Sequence, residues 1–524
     1  MQRHSSQVKI LLVLFLLLAQ LMGIGTLDAA APAPNSQATV HFVRSPQFFM
    51  VGADKVAAYC VVADSSPEHR SVVAVAAQTP KGALTQKGNW RSLAPQASFA
   101  DRGSFEKAWT AFSGPGAKVG SAVALAESIE RLLATDKSYD VISIEVPVEP
   151  DVKPGSRQAI TVSATLSDGS VVQAVSTLIA QSLTPPSGWI LGDTHVHTDL
   201  NDPVATLTNS SIKSLAQSYG HNFTYITDHI DLIRSCTDLG DPAVRWSTWR
   251  SRSELQSGST YTQCPGIEVT ALNGDGDALG YGMPATDPTA IQNRQLSCSN
   301  LVAAINNAAS GASAYIAHPA GPPLDWHDPS AAYYGVQAVD YGEVFWKNGI
   351  TSGHRSAASG GSDAHVGALF GGQATWLYAP SWATQSLWLD RVSTIAAALK
   401  SEKSSATTDG GFGYFRVGSN YPGSSITAST GSTIYYSLDA RALDNGYNVQ
   451  ITWDLYRDSD GNRVSGGTSG ILGSGGTLQY SSLPTTVQGG KHGYYLVLTF
   501  DYRDDLGTVF TSYVFCGPVY VTGI

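Results

Sequence analysis

Trp189-Ile-Leu-Gly-Asp193-Thr-His195-Val-His197-Thr198 is the stretch on which the reading of this chain turns. An apolar run stops on two histidines spaced two apart, and residues i and i+2 of a strand point to the same side. The pattern recurs downstream. Residues 223–226 end before Asp228-His229, and 314–317 end before His318-Pro319. Two further strand-like runs carry Glu268 (266–270) and Glu343 (342–346), and Asp363-Ala-His365 closes the series. Helix-like segments alternate with these runs at 243–256, at 300–309 with Asn300 as N-cap, and at 387–400. Strand-then-helix alternation predicts a largely parallel sheet or barrel over 189–400. In such folds the carboxyl ends of successive strands meet at one end of the domain, so residues far apart in sequence share a pocket.

Taken singly, each element has a bland reading. A lone His-x-His more often belongs to a core or a surface, Thr227-Asp228-His229 is common loop composition, and Glu268 or Glu343 alone suits a salt bridge. Their succession at strand ends carries the metal reading. The donor set is all nitrogen and oxygen, which suits zinc, manganese or iron rather than a thiolate-selected metal. So many ligands exceed what one ion takes, so two to three divalent ions are expected.

The flanks differ in character. Residues 1–31 have Arg3, His4 and Lys9, an apolar run over 10–21 and a small-residue end at Ala29-Ala-Ala31, the layout of a secretory signal peptide. This predicts a secreted or periplasmic protein with no membrane span once the leader is cleaved. Residues 36–184 read as a β-rich domain with a hairpin at Ser167-Asp-Gly-Ser170 and a helical interruption at 122–133. Pro185-Pro-Ser-Gly188 reads as a linker. After a Ser/Thr/Gly-rich stretch at 401–413, strands return over 414–524 in the spacing of an antiparallel β-sandwich. The formal net charge is -10, which argues against nucleic acid as a partner, since phosphate backbones demand a basic face. All five cysteines lie after the leader, and a bridge among Cys236, Cys264 and Cys298 is compatible with an oxidising compartment.

The ordered set Asp193-Thr-His195-Val-His197-Thr198, Thr227-Asp228-His229, Gly266-Ile-Glu268, His318-Pro319, Glu343 and Ser362-Asp363-Ala-His365 resembles the motifs of the PHP family of metal-dependent phosphoesterases. The resemblance covers about 189–400 and implies a distorted (β/α)7 barrel, so that the whole chain is expected to be multidomain, with this barrel flanked by the N-terminal β-rich domain and the C-terminal β-sandwich. The run through Thr407-Thr408-Asp409-Gly410 and Tyr421-Pro-Gly-Ser-Ser-Ile426 is similar to a secreted subgroup related to carbaryl hydrolase, some members of which cleave a carbamate. The family implies that His195, His197, Glu268 and Asp363 bind one metal and Glu268, His318 and Glu343 a second. His229, His365 and Asp202 hold a third, although the Ser-Asp-Gly usual around the last of these is here Asn201-Asp202-Pro203. His197, Glu268 and Asp363 are the residues expected at the catalytic centre. Asp193 and Asp228 are expected to orient histidine rings from behind.

The chemistry expected is hydrolysis of a small-molecule substrate by a metal-bound hydroxide, with phosphoesters first. A carbamate, amide or ester hydrolase uses the same hydroxide. A reading of another class keeps the barrel as an inactive scaffold and gives the β-domains a glycan or protein to bind. Lys347, His354 and Arg355 after Glu343, and His327 in a Pro-rich loop, are the candidates for contacting substrate, each weighed against a solvated loop.

Overall fold

The computed structural model describes residues 38–42, 47–64, 70–79, 81–86, 90–93, 138–149, 151–200, 207–319, 326, 328, 331–339, 342–351, 356–364, 370–457, 462–503 and 509–524. The expected leader (1–31), the helix expected at 122–133, and Asp202, His327, His354, Arg355 and His365 lie outside the described residues. No helix among the described residues is long and apolar enough to cross a membrane.

Alternating burial organises the N-terminal part. Strand Arg157–Leu166 reads exposed-buried along most of its length, the signature of a sheet with one face in a core. It pairs antiparallel with Val171–Gln181 through the expected hairpin, where Gly169 has φ +82° and Leu166 N–H donates to Ser170 O at 2.8 Å. These strands belong to a five-stranded sheet, and Lys55–Asp64 and Ser138–Pro147 belong to a four-stranded one. Val56, Ala58, Cys60 and Val62 of the second meet Ile160, Val162 and Ala164 of the first in one apolar cluster.

The region between 189 and 400 departs from the expected barrel. Trp189–Val196, Phe223–Ile226 and Thr262–Pro265 are parallel neighbours, as the strand-helix alternation requires. Gln373–Tyr378, however, adds to Trp189–Val196 antiparallel. A second sheet of five strands, Ile267–Thr270, Asp277–Tyr281, Ser313–Ala317, Gly335–Gln337 and Ala357–Ser359, stands apart from the first. Its first two strands are joined by a tight 3-10 turn at Leu272–Gly274 without a crossover helix, so Asp277–Tyr281 runs antiparallel to both its neighbours. Isolated bridges between Val196 and Ala364 and between His229 and Glu268 are the contacts that replace a closed hydrogen-bonded cylinder. The expected (β/α)7 barrel is therefore not what forms: the described residues are mostly β, 47% strand against 18% helix, and this region is built on two open mixed sheets.

The first of those sheets does not stop at residue 400. Gln373–Tyr378 pairs with Ser404–Thr408, which pairs with Val509–Gly523, and that strand leads through Gly490–Arg503 and Asn448–Arg457 to Asn462–Thr468. Ten strands thus share one sheet. A three-stranded sheet of Phe412–Val417, Thr433–Arg441 and Thr477–Thr486 packs on its C-terminal part, with Phe415, Tyr436 and Leu438 against Ile451, Leu498 and Val514.

The helices fall close to expectation at Arg245–Gln256 and Trp388–Lys400. The third starts earlier, at Cys298, with Ser297 rather than Asn300 in the N-cap position. Gly342–Thr351, expected to begin as a strand, is a helix. Its Trp346 is fully buried and meets the rings of Tyr495 and Phe515 edge-on. Cys236 and Cys264 are buried thiols, so no bridge forms among the three cysteines of this region.

Candidate metal centre

Every residue of Trp189–Val196 is buried: Trp189 and Leu191 cluster with Trp376 and Phe412, Ile190 with Tyr281, Tyr315 and Ile395, and Val196 with Ile212 and Leu215. Water is therefore excluded where the strand ends. His195 and His197 project there together, their Nε2 atoms 3.0 Å apart, as two residues of like parity must. Asp363 Oδ1 lies 3.2 Å from each of them. Glu268 completes the group, with Oε1 3.4 Å from His195 Nε2 and Oε2 3.0 Å from His197 Nε2. The donor atoms of these four residues all lie within 4.8 Å of one another.

A second group shares Glu268. His318 Nε2 is 3.2 Å from Glu268 Oε1 and 3.8 Å from Asp277 Oδ2. Glu268, Asp277 and His318 again satisfy mutual donor distances under 4.8 Å. Asp277 escaped the sequence reading because that reading looked where apolar runs stop. Asp277 starts one: its strand runs antiparallel, so its first residue sits beside Thr270 and Ala317, the last residues of its neighbours. An acidic residue opening an apolar run between two ligand-bearing strands was the available signal.

Glu343 belongs to neither group. It lies in the first turn of its helix and pairs with Lys347, one turn on, at 2.5 Å. Lys347, expected to meet substrate, is engaged there and also stands 5.4 Å from the Tyr456 ring centre. His229 reaches the cluster: its Nδ1 is 3.4 Å from Glu268 Oε2, and its ring lies 5.0 Å from that of His197.

Asp193 and Asp228 stand behind the cluster, but they accept from backbone, hydroxyl and indole groups rather than from imidazole rings. Asp193 Oδ1 accepts from the N–H groups of His195 and Ser362, both at 3.0 Å, and Oδ2 accepts from Ser362 Oγ at 2.5 Å. Asp228 accepts from Thr198 N–H at 2.6 Å, Thr198 Oγ1 at 2.8 Å and Trp249 Nε1 at 2.9 Å. The group that touches a ring is Gln337, whose Oε1 lies 3.2 Å from His195 Nδ1. Backbone strain concentrates here as well: His318 has φ +23° and Asp363 φ +49°, conformations that cost non-glycine residues of order 1–3 kcal/mol and persist where surrounding contacts impose them.

The electrostatics of the cluster follow from its buried charges. Burial works against ionisation of Glu268, yet charge on His195 and then His229 holds it well below the usual carboxylate range. Burial likewise disfavours charge on His197, but hydrogen bonds to Asp363 and Glu268 raise it well above an ordinary imidazole. His318, against the same burial, is pushed up to about 9 by Glu268, Asp363 and Asp277. Asp277 is raised by burial and by the charge of Glu268, and burial lifts Asp193 to about 7. Buried carboxylates that force protons onto imidazoles form a pocket of negative charge with nitrogen donors at its wall. A divalent cation can take the place of those protons, and the nitrogen and oxygen donors fit zinc, manganese or iron.

A cavity of about 370 Å³ lies elsewhere, between Met50 and Gln181 of the N-terminal sheet and Trp189, His221 and Trp382. None of the residues in the two ligand groups lines it.

No protein-family model matches the chain, and no curated protein matches it. Among solved structures, a two-domain protein containing a predicted PHP-like metal-dependent phosphoesterase from Bacteroides vulgatus is similar at 15% identity, over 64% of this chain and 97% of that one, with a TM-score of 0.35. A purple acid phosphatase from yellow lupin seeds is similar at 8% identity, over 93% of this chain and 75% of that one, with a TM-score of 0.20. Superpositions this loose establish neither a shared fold nor a shared activity, and the chemistry of the site rests on its own residues.

Proposed function

We propose that this protein is a metal-dependent hydrolase acting on phosphoesters. The observation that carries the reading is the position of Glu268, whose carboxylate belongs to both ligand groups and so supports two ions side by side. When bound, such ions lower the pKa of coordinated water and neutralise charge that develops on a phosphoryl group.

The chain's own residues prepare that chemistry. His195, His197, Glu268 and Asp363 would hold one ion, and Glu268, Asp277 and His318 the other. Asp193 and Asp228 fix the backbone on which the ligands are mounted, and burial around Trp189–Val196 keeps bulk water from screening the site. His229, partly exposed beside Glu268, is the imidazole placed to exchange a proton with a substrate or leaving group. The apolar segment at 10–21 extends the proposal to a site of action outside the cytoplasm.

Elemental analysis of the purified chain tests the first step, with about two transition-metal ions per chain expected. A panel of aryl phosphate, phosphodiester, carboxyl ester and carbamate substrates tests the second. Turnover of phosphoesters that disappears with chelation supports the proposal. Fewer than one ion per chain, or metal-dependent turnover confined to the carbonyl substrates, overturns it.

A further inference from the structure

We propose that Gln337 is the positioning residue of the metal centre, setting the tautomer of His195 and tying together three of the segments that carry ligands. The inference rests on the hydrolase reading for its consequence in metal binding, but its structural core stands without it.

Gln337 ends the strand Gly335–Gln337 and is buried. Its Oε1 lies 3.2 Å from His195 Nδ1 and accepts the backbone N–H of His318 at 3.3 Å, while its Nε2 donates to the carbonyl of Gly361. These three partners belong to the strand of His195, to the strained residue His318, and to the segment leading into Asp363.

The orientation of the amide is decided by the partners whose roles cannot change. The backbone N–H of His318 can only donate and the carbonyl of Gly361 can only accept. A flipped amide would set donor against donor at one end and acceptor against acceptor at the other. Oε1 therefore faces His195, and an amide oxygen has nothing to give. The proton between the two residues must come from His195 Nδ1. The Nε2 of a neutral His195 is then left as a lone pair, directed at Glu268 and Asp363 with no proton to share, an arrangement that a cation completes.

The amide also supplies this hydrogen bond without charge. A carboxylate at position 337 would add another anion to a buried group that already holds Glu268, Asp277 and Asp363, and would oppose the Gly361 carbonyl with a second acceptor. Space around the segment is tight as well: a Cβ on Gly361 would come within 2.5 Å of the His195 Cβ, so the segment held by Gln337 passes His195 at a distance that only glycine allows.

The test uses the full chain labelled with [15N]histidine and freed of metal by chelation, compared with Gln337→Met and Gln337→Glu. Long-range proton-nitrogen spectra, taken at a pH where the imidazole of His195 is neutral, should show it as the Nδ1–H tautomer in the wild type. That signature should be lost in Gln337→Met, which has no donor and only a weak thioether acceptor, and kept in Gln337→Glu, which retains a strong acceptor. Titration with zinc should show affinity lower by about 10- to 100-fold in Gln337→Met, the usual effect of removing a partner behind a ligating histidine. A wild type with the Nε2–H tautomer overturns the proposal even if no variant folds. So does a Gln337→Met protein with an unchanged tautomer. A wild type that binds no zinc but shows the Nδ1–H form would sink the hydrolase reading and leave the positioning role of Gln337 standing.

Discussion

Nε2 of His195 and Nε2 of His197 stand 3.0 Å apart at the end of one strand, closer than two neutral imidazole lone pairs tolerate. One of the two must carry a proton, or both must face a cation. His195→Ala and Asp363→Ala each remove a donor from the first group, and each is expected to lower bound metal by about one ion per chain and hydrolysis by at least about 100-fold. Elemental analysis beside steady-state assays checks this. Wild-type metal content in both variants would show that the ion sits elsewhere.

Asp277 and Glu343 make opposite predictions. Asp277→Asn should weaken the second site by about 10-fold or more, because Asp277 lies with Glu268 and His318. Glu343→Gln breaks a partly exposed pair with Lys347 of a kind worth about 0.3–0.5 kcal/mol, and should leave metal content unchanged. Isothermal titration of both variants decides between them, and the reverse outcome would restore Glu343 to the site.

His221 gives a pH prediction away from the metal groups. Burial lowers it from 6.5 to about 3, and its Nδ1 has no hydrogen-bond partner. Between those values the unfolded chain binds the extra proton and the folded chain does not. The stability is fully present above about pH 6.5 and declines as pH falls, by up to about 5 kcal/mol at pH 3. In His221→Leu this acid sensitivity should shrink. Urea melts at pH 7 and pH 4 measure it, and an equal loss in both proteins would count against the argument.

Trp346 ties the helix Gly342–Thr351 to the C-terminal strands through Tyr495 and Phe515, and its Nε1 donates to Ser356 O at 2.9 Å. Trp346→Ala should cost about 3–5 kcal/mol, the range for emptying a buried tryptophan site. Denaturant titration reads it directly. A loss under 1 kcal/mol would mean that the interface relaxes around the gap.

Much of the candidate centre was legible because donors at the ends of parallel strands follow apolar runs, as His195, His197 and His318 do. Asp277 was hidden because strand direction is not written in composition, and an antiparallel strand brings its first residue to the same end. Glu343 was misplaced for a related reason: Gly342-Glu-Val-Phe-Trp346 is too short a run for periodicity to separate strand from helix. Gln337, at the true strand end, carries no charge and drew no attention. The barrel failed as an expectation where Asp277–Tyr281 and Gln373–Tyr378 pair antiparallel and open the ring that parallel strands would close.

The strand Val509–Gly523 lies inside the ten-stranded sheet, between Ser404–Thr408 and Gly490–Arg503. During synthesis the strand Trp189–Val196, which carries His195 and leads into His197, emerges some 300 residues before the partner that makes its sheet continuous. Long-range pairing of this kind is slow and leaves unpaired edges exposed. The histidines are therefore made while the sheet that will hold them is still open. Under the proposed function, metal loading would then follow the synthesis of Val509–Gly523 rather than that of the histidines.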